Sequence, residues 1–153
     1  MKTFVYCLLG FFLVVSCNKE DKPVDYSGIY KSVKLRSECP ESSKNVSRDF
    51  DLTTNELCNT VTGGQDCFSL VITLNADLSY TLQTKIKEIR ANGGLVTTKP
   101  VTATGTYTVV DKTLMLCSPG SSCITLTATA VAGELDWLVG MSNNCNNIYT
   151  VRK

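Results

Sequence analysis

The chain alternates apolar and polar residues with a period of two over most of residues 26–153. A clear example is the segment FSLVITL, in which every second residue is apolar and falls on one face: Phe68, Leu70, Ile72 and Leu74. Turn-forming residues, such as the pair Asn92-Gly93, separate these segments. The pattern predicts about eight to ten β-strands.

Short strands joined mostly by short loops predict an all-β fold, built as an antiparallel up-and-down barrel with a β-sandwich as the alternative. Closure into a barrel is favoured because it removes exposed strand edges. Three segments are patterned less clearly. Residues 46–57 hold either a strand or a short helix, residues 84–94 form a strand or a short helix with a glycine C-cap, and residues 58–67 are predicted to be a loop with a Gly-Gly turn.

The first 16 residues have the pattern of a signal peptide. Lys2 supplies a positive charge, and residues 4–15 are apolar apart from Gly10. A helix that spans a bilayer needs about 20 apolar residues, so this run is too short to be one. We therefore predict that residues 1–16 are a cleaved signal peptide and that the remaining chain is exported.

Residues 14–17, Val-Val-Ser-Cys, resemble the lipobox of bacterial lipoproteins. The resemblance implies that the peptidase cuts before Cys17, and that Cys17 carries a diacylglyceryl thioether and an acyl chain, such as palmitate, on its new amino group. The alternative is a chance cysteine at the end of an ordinary signal peptide. Residues 17–25 are polar, charged and interrupted by Pro23, and they are predicted to form the lipidated N-terminus and a flexible tether.

The residues after the lipobox carry a resemblance to targeting signals. Asn18 at the second mature position is similar to lipoproteins that are sent on to the outer membrane. The triplet Lys19-Glu20-Asp21 resembles a signal with which some bacteria place lipoproteins on the cell surface. Together they imply a lipid-anchored protein of the outer membrane, with exposure at the cell surface as a further expectation.

Four segments, taken in order, resemble the lipocalin-like domain of lipoproteins from Gram-negative bacteria. They are GIYK at residues 28–31, ITLNADLSYTL at 72–82, GTYTVVDKTLML at 105–116 and IYTVRK at 148–153. The resemblance implies one lipocalin-like barrel over residues 26–153. It also implies a structural lock at the closed end, in which Arg152 packs across Tyr30. Tyr30 replaces the family's tryptophan, and Leu78 replaces a turn glycine, which indicates an altered turn.

Six cysteines follow Cys17 in the mature chain: Cys39, Cys58, Cys67, Cys117, Cys123 and Cys145. Export into oxidising surroundings predicts disulfides, with free thiols or metal ligation as the alternatives.

Cys117 and Cys123 flank a short turn between predicted strands and are the first expected disulfide pair. Cys58 and Cys67 flank a Gly-Gly turn in the same manner and are the second. Cys39 and Cys145 are then left for each other. A metal site is not expected, because the chain has no histidine and no C-x-x-C motif.

The composition argues against an enzyme. Without histidine the chain lacks the commonest general base and every Ser-His or Cys-His pair. The carboxylate pairs Asp49/Asp51 and Glu134/Asp136 are interpreted as solvated strand faces or turn residues. The net charge of +1 gives no reason to expect a nucleic acid as partner, and no motif indicates a cofactor.

Two functional hypotheses remain. The first is a membrane-anchored binding module whose barrel holds a small apolar or amphipathic ligand. Its candidate lining residues, each of which could instead fill the core, are Leu70, Ile72, Leu82, Ile86, Leu126 and Trp137. The second is a structural or protein-interaction lipoprotein of the cell envelope with a packed interior. Its candidate surface is the Asn-rich loop at residues 142–147 together with the Thr-rich strands, and the sequence names no protein partner.

Overall fold

The structure, a computed structural model, describes residues 24–92, 94–97, 100–140 and 144–153. The predicted signal peptide, Cys17 and residues 18–23 of the predicted tether lie outside these ranges. The described residues form eleven strands and one short 3-10 helix, Ser42–Lys44. The strands are β1 (Gly28–Glu38), β2 (Val46–Asp49), β3 (Leu57–Val61), β4 (Gly64–Leu74), β5 (Ser79–Arg90), β6 (Leu95–Thr97), β7 (Val101–Val110), β8 (Thr113–Cys117), β9 (Ile124–Ala128), β10 (Glu134–Val139) and β11 (Asn146–Arg152).

Eight strands close into an antiparallel barrel in the order β1-β11-β10-β9-β8-β7-β5-β4. Residues 28–31 of β1 pair with residues 71–74 of β4 and complete the circle. Strands that follow one another along the chain are mostly neighbours in the barrel, as an up-and-down topology requires. The predicted up-and-down barrel is confirmed, the β-sandwich alternative is wrong, and the architecture is compatible with a lipocalin-like fold.

The first strand divides its pairing between two neighbours. Its first half pairs with β4 and its second half, residues 34–37, pairs with β2. A β-bulge interrupts the register against β11 between Ser32 and Lys34. Because a bulge inserts one extra residue, Ser32 faces the interior whereas Lys34 and Arg36 face the outside of the barrel.

The three less clearly patterned segments all contribute strands. β2 opens residues 46–57, and β5 runs unbroken to Arg90, so the helical alternative for residues 84–94 is wrong. The predicted loop at residues 58–67 is also wrong, because β3 pairs with β4 from Leu57 opposite Phe68 to Val61 opposite Gly64. Most β3 side chains are exposed, so the neighbouring strand rather than hydrophobic alternation determines this element.

Every one of the eight barrel strands contributes apolar side chains to a single core. The buried core residues are Tyr26, Tyr30, Leu70, Ile72, Leu74, Tyr80, Leu82, Tyr107, Leu114, Leu116, Leu126, Leu135 and Val151. The buried hydroxyl of Ser32 is satisfied, since it donates to the carbonyl oxygen of Leu70 at 3.0 Å. The core is packed as expected for a barrel of about eight strands, whose interior side chains can fill completely.

The barrel has two distinct ends. The base holds the turns at residues 75–78, 111–112 and 129–133, together with the entry of the chain at residues 24–27. The opposite end, the mouth, holds the remaining connections between barrel strands. In the base, Leu78 adopts a φ of 64°, a left-handed conformation that glycine takes without strain but leucine rarely adopts.

Three disulfides lie toward the mouth, and they confirm the predicted pairs. Cys39–Cys145 joins the end of β1 to the segment before β11, across 106 residues of sequence. Cys58–Cys67 links directly opposed residues of β3 and β4. Cys117–Cys123 closes the turn between β8 and β9. The mouth is therefore held by covalent bonds, whereas the base is held by packing and hydrogen bonds.

Candidate binding site

Four of the six predicted lining residues belong to the packed core. Leu70, Ile72 and Leu126 are fully buried, and Leu82 is 8% exposed. All four are members of the single core cluster. A ligand at these positions would have to displace core side chains, so the structure places the four residues in the filled interior.

The other two predicted lining residues, Ile86 and Trp137, lie nearer the mouth. Ile86 is 50% exposed and stands opposite Phe68 in the β4–β5 pair. The Trp137 ring lies 6.1 Å from Tyr149, Tyr149 lies 5.3 Å from Phe68, and Phe68 lies 6.4 Å from Phe50. This row of four rings covers the core on the mouth side, and burial raises the pKa of the Tyr149 hydroxyl.

The predicted lock between Tyr30 and Arg152 is not formed. Arg152 stands opposite Lys31 in the β1–β11 pair, so its side chain leaves the sheet on the face opposite to Tyr30. The Tyr30 ring is buried and its hydroxyl donates to the carbonyl oxygen of Tyr26 at 2.9 Å. Arg152 instead binds Glu134 on the outer surface of the barrel.

A cleft of about 600 Å³ lies on that outer surface, across β1, β11 and β10. We call it the outer cleft. Phe50 and Leu52 line one side, and residues 129–131 line the other. Its lining residues are Val33, Lys34, Arg36, Asp49, Phe50, Leu52, Thr129, Ala130, Val131, Glu134, Asp136, Thr150 and Arg152. This volume falls within the range typical of small-molecule sites, about 300–1,000 Å³.

Ion pairs form the floor of the outer cleft. Arg36 Nη2 lies 2.6 Å from Asp136 Oδ2, and the Thr150 hydroxyl donates to Asp136 Oδ1 at 2.6 Å. The second ion pair of the floor joins Glu134 to Arg152, which face each other directly across β10 and β11. The floor is therefore polar and nearly charge-balanced, while the walls contribute apolar side chains.

One donor in the floor is left unsatisfied. Arg36 Nε is buried and has no hydrogen-bond partner among the residues that the structure describes. Arg36 Nη2 is already committed to Asp136, and Nη1 lies 3.9 Å from Glu38. Because Nε itself is shielded from solvent, a ligand in the cleft would meet the exposed part of the guanidinium, and the Arg36 side chain is 37% exposed. An acceptor placed there would gain a charge-assisted hydrogen bond.

The acidic residues of this floor are less exposed than the sequence predicts. Glu134 and Asp136 are expected to be solvated or turn residues, whereas Glu134 is buried and both carboxylates bind arginines. Their alternation with Leu135 and Trp137 does show that they share one face of β10. The arginines that pair with this face can be identified only from the strand order, because Arg36 lies 100 residues from Asp136 in the sequence.

The surface proposed for protein partners is described in part. The threonines of β7 and β9 are exposed along the outside of the barrel, in line with a solvated strand face. In the Asn-rich loop, Ser142 and Asn143 lie outside the described residues, and Asn144 has a φ of 60°. Thr125 and Thr127 of β9 also line a second concavity of about 470 Å³, together with Trp137 and Leu138 of β10.

Comparisons of the chain with protein-family models, with curated proteins and with solved structures find no match. Among the described residues, no helix has the length and apolar character needed to cross a membrane.

Proposed function

We propose that the protein is an exported lipoprotein, anchored in the outer membrane through Cys17, whose lipocalin-like barrel binds a small amphipathic molecule in the outer cleft. The lipobox-like residues 14–17 and the short apolar run before them support the anchor. The packed core argues that a ligand binds outside the barrel rather than within it. On this proposal Lys19-Glu20-Asp21 directs the protein to the cell surface.

The observation that carries the binding proposal is the partly exposed guanidinium of Arg36 at the floor of a cleft with apolar walls. An amphipathic ligand would lay its apolar part against Leu52 and Val131 and bring an acceptor to Arg36. Carboxylate or phosphate head groups suit this donor, whereas a cationic head group does not. The ligand class is therefore a small acidic or zwitterionic amphipath.

Titration calorimetry on the purified full chain tests this proposal. The probes are decanoate and decyltrimethylammonium, used below their micelle concentrations, because they share a chain length and differ in head-group charge. Binding of decanoate with weaker or absent binding of the cation supports the proposal. Equal affinity for both probes, or binding of neither, contradicts it.

Two variants on one turn localise the site. Ala130 lines the cleft, whereas its neighbour Ala132 does not, and both are exposed. Ala130→Trp should fill the cleft and weaken decanoate binding at least tenfold, and Ala132→Trp should leave it unchanged. Equal effects of the two substitutions would place the probe elsewhere, for instance at the mouth near Ile86.

The second candidate function is a structural or interaction lipoprotein of the cell envelope with a solid core and no ligand. The observation that favours it is the packed core, in which four of the six predicted lining residues, Leu70, Ile72, Leu82 and Leu126, are buried. Failure of every amphipathic probe to bind, with retention of the lipid anchor, would favour this function over the first.

A further inference from the structure

The base of the barrel exposes an apolar rim. Each base turn carries or adjoins one large aliphatic side chain, and these are Leu78 at 50%, Val110 at 61% and Val131 at 55% exposure. Val24, where the described chain enters, is 68% exposed. The up-and-down topology brings all of these positions to the same end of the molecule, so they ring one surface.

Leu78 is the most informative member of the rim. Its φ of 64° costs backbone strain of about 1 kcal/mol or more relative to glycine. The turn holds that conformation through backbone hydrogen bonds, Leu78 N–H to Asn75 O at 3.1 Å and Tyr107 N–H to Leu78 O at 2.8 Å. Because the side chain is half exposed, its contacts within the barrel offset little of this strain. The half-exposed leucine is therefore available for a contact outside the barrel.

The chain between the proposed anchor and the base is short. Seven peptide steps separate Cys17 from Val24, and at about 3.6 Å per residue they reach at most about 25 Å. If Cys17 carries lipid, the base is the end of the barrel that stays close to the bilayer. The mouth, with its disulfides, then points away from it.

The charges of the base indicate which lipid surface it fits. Asp25, Asp77 and Asp111 oppose Lys112 and Lys153, so the base has no excess of positive charge with which to attract anionic head groups. Its contact with a bilayer would therefore depend on aliphatic side chains and would not require anionic lipid.

We propose that the base of the barrel rests on the bilayer, with Leu78, Val110 and Val131 inserted among the lipid head groups. This inference rests on the lipid anchor at Cys17 that forms part of the proposed function. It adds an orientation: the base of the barrel contacts lipid, and the mouth faces the aqueous side.

The test uses the full chain, purified from membranes and reconstituted in phosphatidylcholine vesicles. Tryptophan replaces one exposed aliphatic residue at each end, Leu78→Trp at the base and Val61→Trp in the β3–β4 hairpin at the mouth. Wild-type protein, with Trp137 alone, gives the baseline. Lipids with a nitroxide near the head group should quench the added fluorescence of Leu78→Trp at least twofold more than that of Val61→Trp. Equal quenching of both, or quenching of neither, overturns the inference.

Two further variants separate the inference from the anchor. Val110→Trp repeats the measurement at a rim position with ordinary backbone geometry, in case Leu78→Trp does not fold. Cys17→Ser tests the anchor itself, since it should release the protein from vesicles. If the wild-type chain is not lipidated, both the anchor and this inference fail. If it is lipidated and both rim tryptophans remain unquenched, only the inference fails.

Discussion

Glu134 and Arg152 face each other across β10 and β11, and Arg152 donates from both Nε and Nη2 to the same oxygen, Glu134 Oε1. The side chain of Glu134 is 10% exposed and that of Arg152 is 53% exposed. The buried carboxylate therefore depends on the arginine more than the arginine depends on the carboxylate, because solvent can replace the partner of an exposed cation but not of a buried anion.

This asymmetry predicts unequal effects of the two single substitutions. Arg152→Ala leaves a buried carboxylate uncompensated and should lower the free energy of unfolding by about 1–2 kcal/mol. Glu134→Gln keeps a hydrogen-bond acceptor and should cost less than about 1 kcal/mol. Urea denaturation measures both values.

The same variants decide between two partners for Arg152. A double-mutant cycle between Glu134 and Arg152 should give a coupling energy of at least about 0.5 kcal/mol, whereas a cycle between Tyr30→Phe and Arg152→Ala should give a value near zero. Coupling of Arg152 to Tyr30 instead would restore the lock that the family resemblance implies.

Replacement of Leu78 by glycine should stabilise the protein while it weakens membrane contact. Glycine adopts a φ of 64° without strain, so Leu78→Gly should raise the free energy of unfolding by up to about 1 kcal/mol. Leu138 is a matched control, since it is also exposed but lies within β10. Leu138→Gly should destabilise by about 0.5–1 kcal/mol. A loss of stability in both variants would argue against strain at Leu78.

The three disulfides should contribute unequally to stability. Cys39–Cys145 spans 106 residues of sequence and Cys117–Cys123 spans 6. Loop-closure entropy predicts about 4.8 kcal/mol for the long span and about 2.2 kcal/mol for the short one. Thermal or urea unfolding of the two double Cys→Ser variants measures the difference. Similar losses would show that strain or unfolded-state structure outweighs loop length.

Arg36→Lys should test the role of the guanidinium in the outer cleft. Lysine keeps the positive charge, but it has no planar guanidinium fork. Decanoate affinity should fall about tenfold, since one charge-assisted hydrogen bond is lost. Arg90→Lys, the same substitution at an exposed arginine outside the cleft, serves as the control and should leave the affinity nearly unchanged. If the Arg36→Lys variant binds decanoate as tightly as the wild type does, charge alone attracts the probe.

The base turn also predicts a pH dependence. The hydroxyl and the backbone N–H of Ser79 donate to Asp77, and these hydrogen bonds hold the Asp77 pKa below its ordinary value of 3.8. A pKa that is lower in the folded state contributes stability above the unfolded value, and this contribution is lost as the pH falls through the folded pKa. Ser79→Ala should raise the Asp77 pKa toward 3.8, which carboxyl NMR titration measures. An unchanged titration would contradict the assignment.

Hydrophobic alternation predicted the strands, because most of them bury one face and expose the other, and the removal of exposed edges favoured a barrel over a sandwich. The turn-flanking positions of Cys117 and Cys123 predicted their disulfide for a similarly local reason. The orientation of Arg36 could not be predicted from its own segment. Strict alternation from Tyr30 would place Arg36 inside the barrel, but the bulge after Ser32 turns it outward. In the sequence, Val33 and Leu35 shift the apolar alternation by one residue after Ser32, which is consistent with the bulge. The outer cleft, however, depends on strand order, which no single segment encodes.

Val131 belongs to two surfaces at once, as a wall of the outer cleft and as part of the apolar rim of the base. If both proposals hold, the lower edge of the cleft borders directly on the lipid layer. An amphipathic molecule that leaves the membrane would then reach Arg36 by lateral diffusion, without crossing bulk water. The rate of uptake would follow the density of that molecule in the leaflet rather than its concentration in solution.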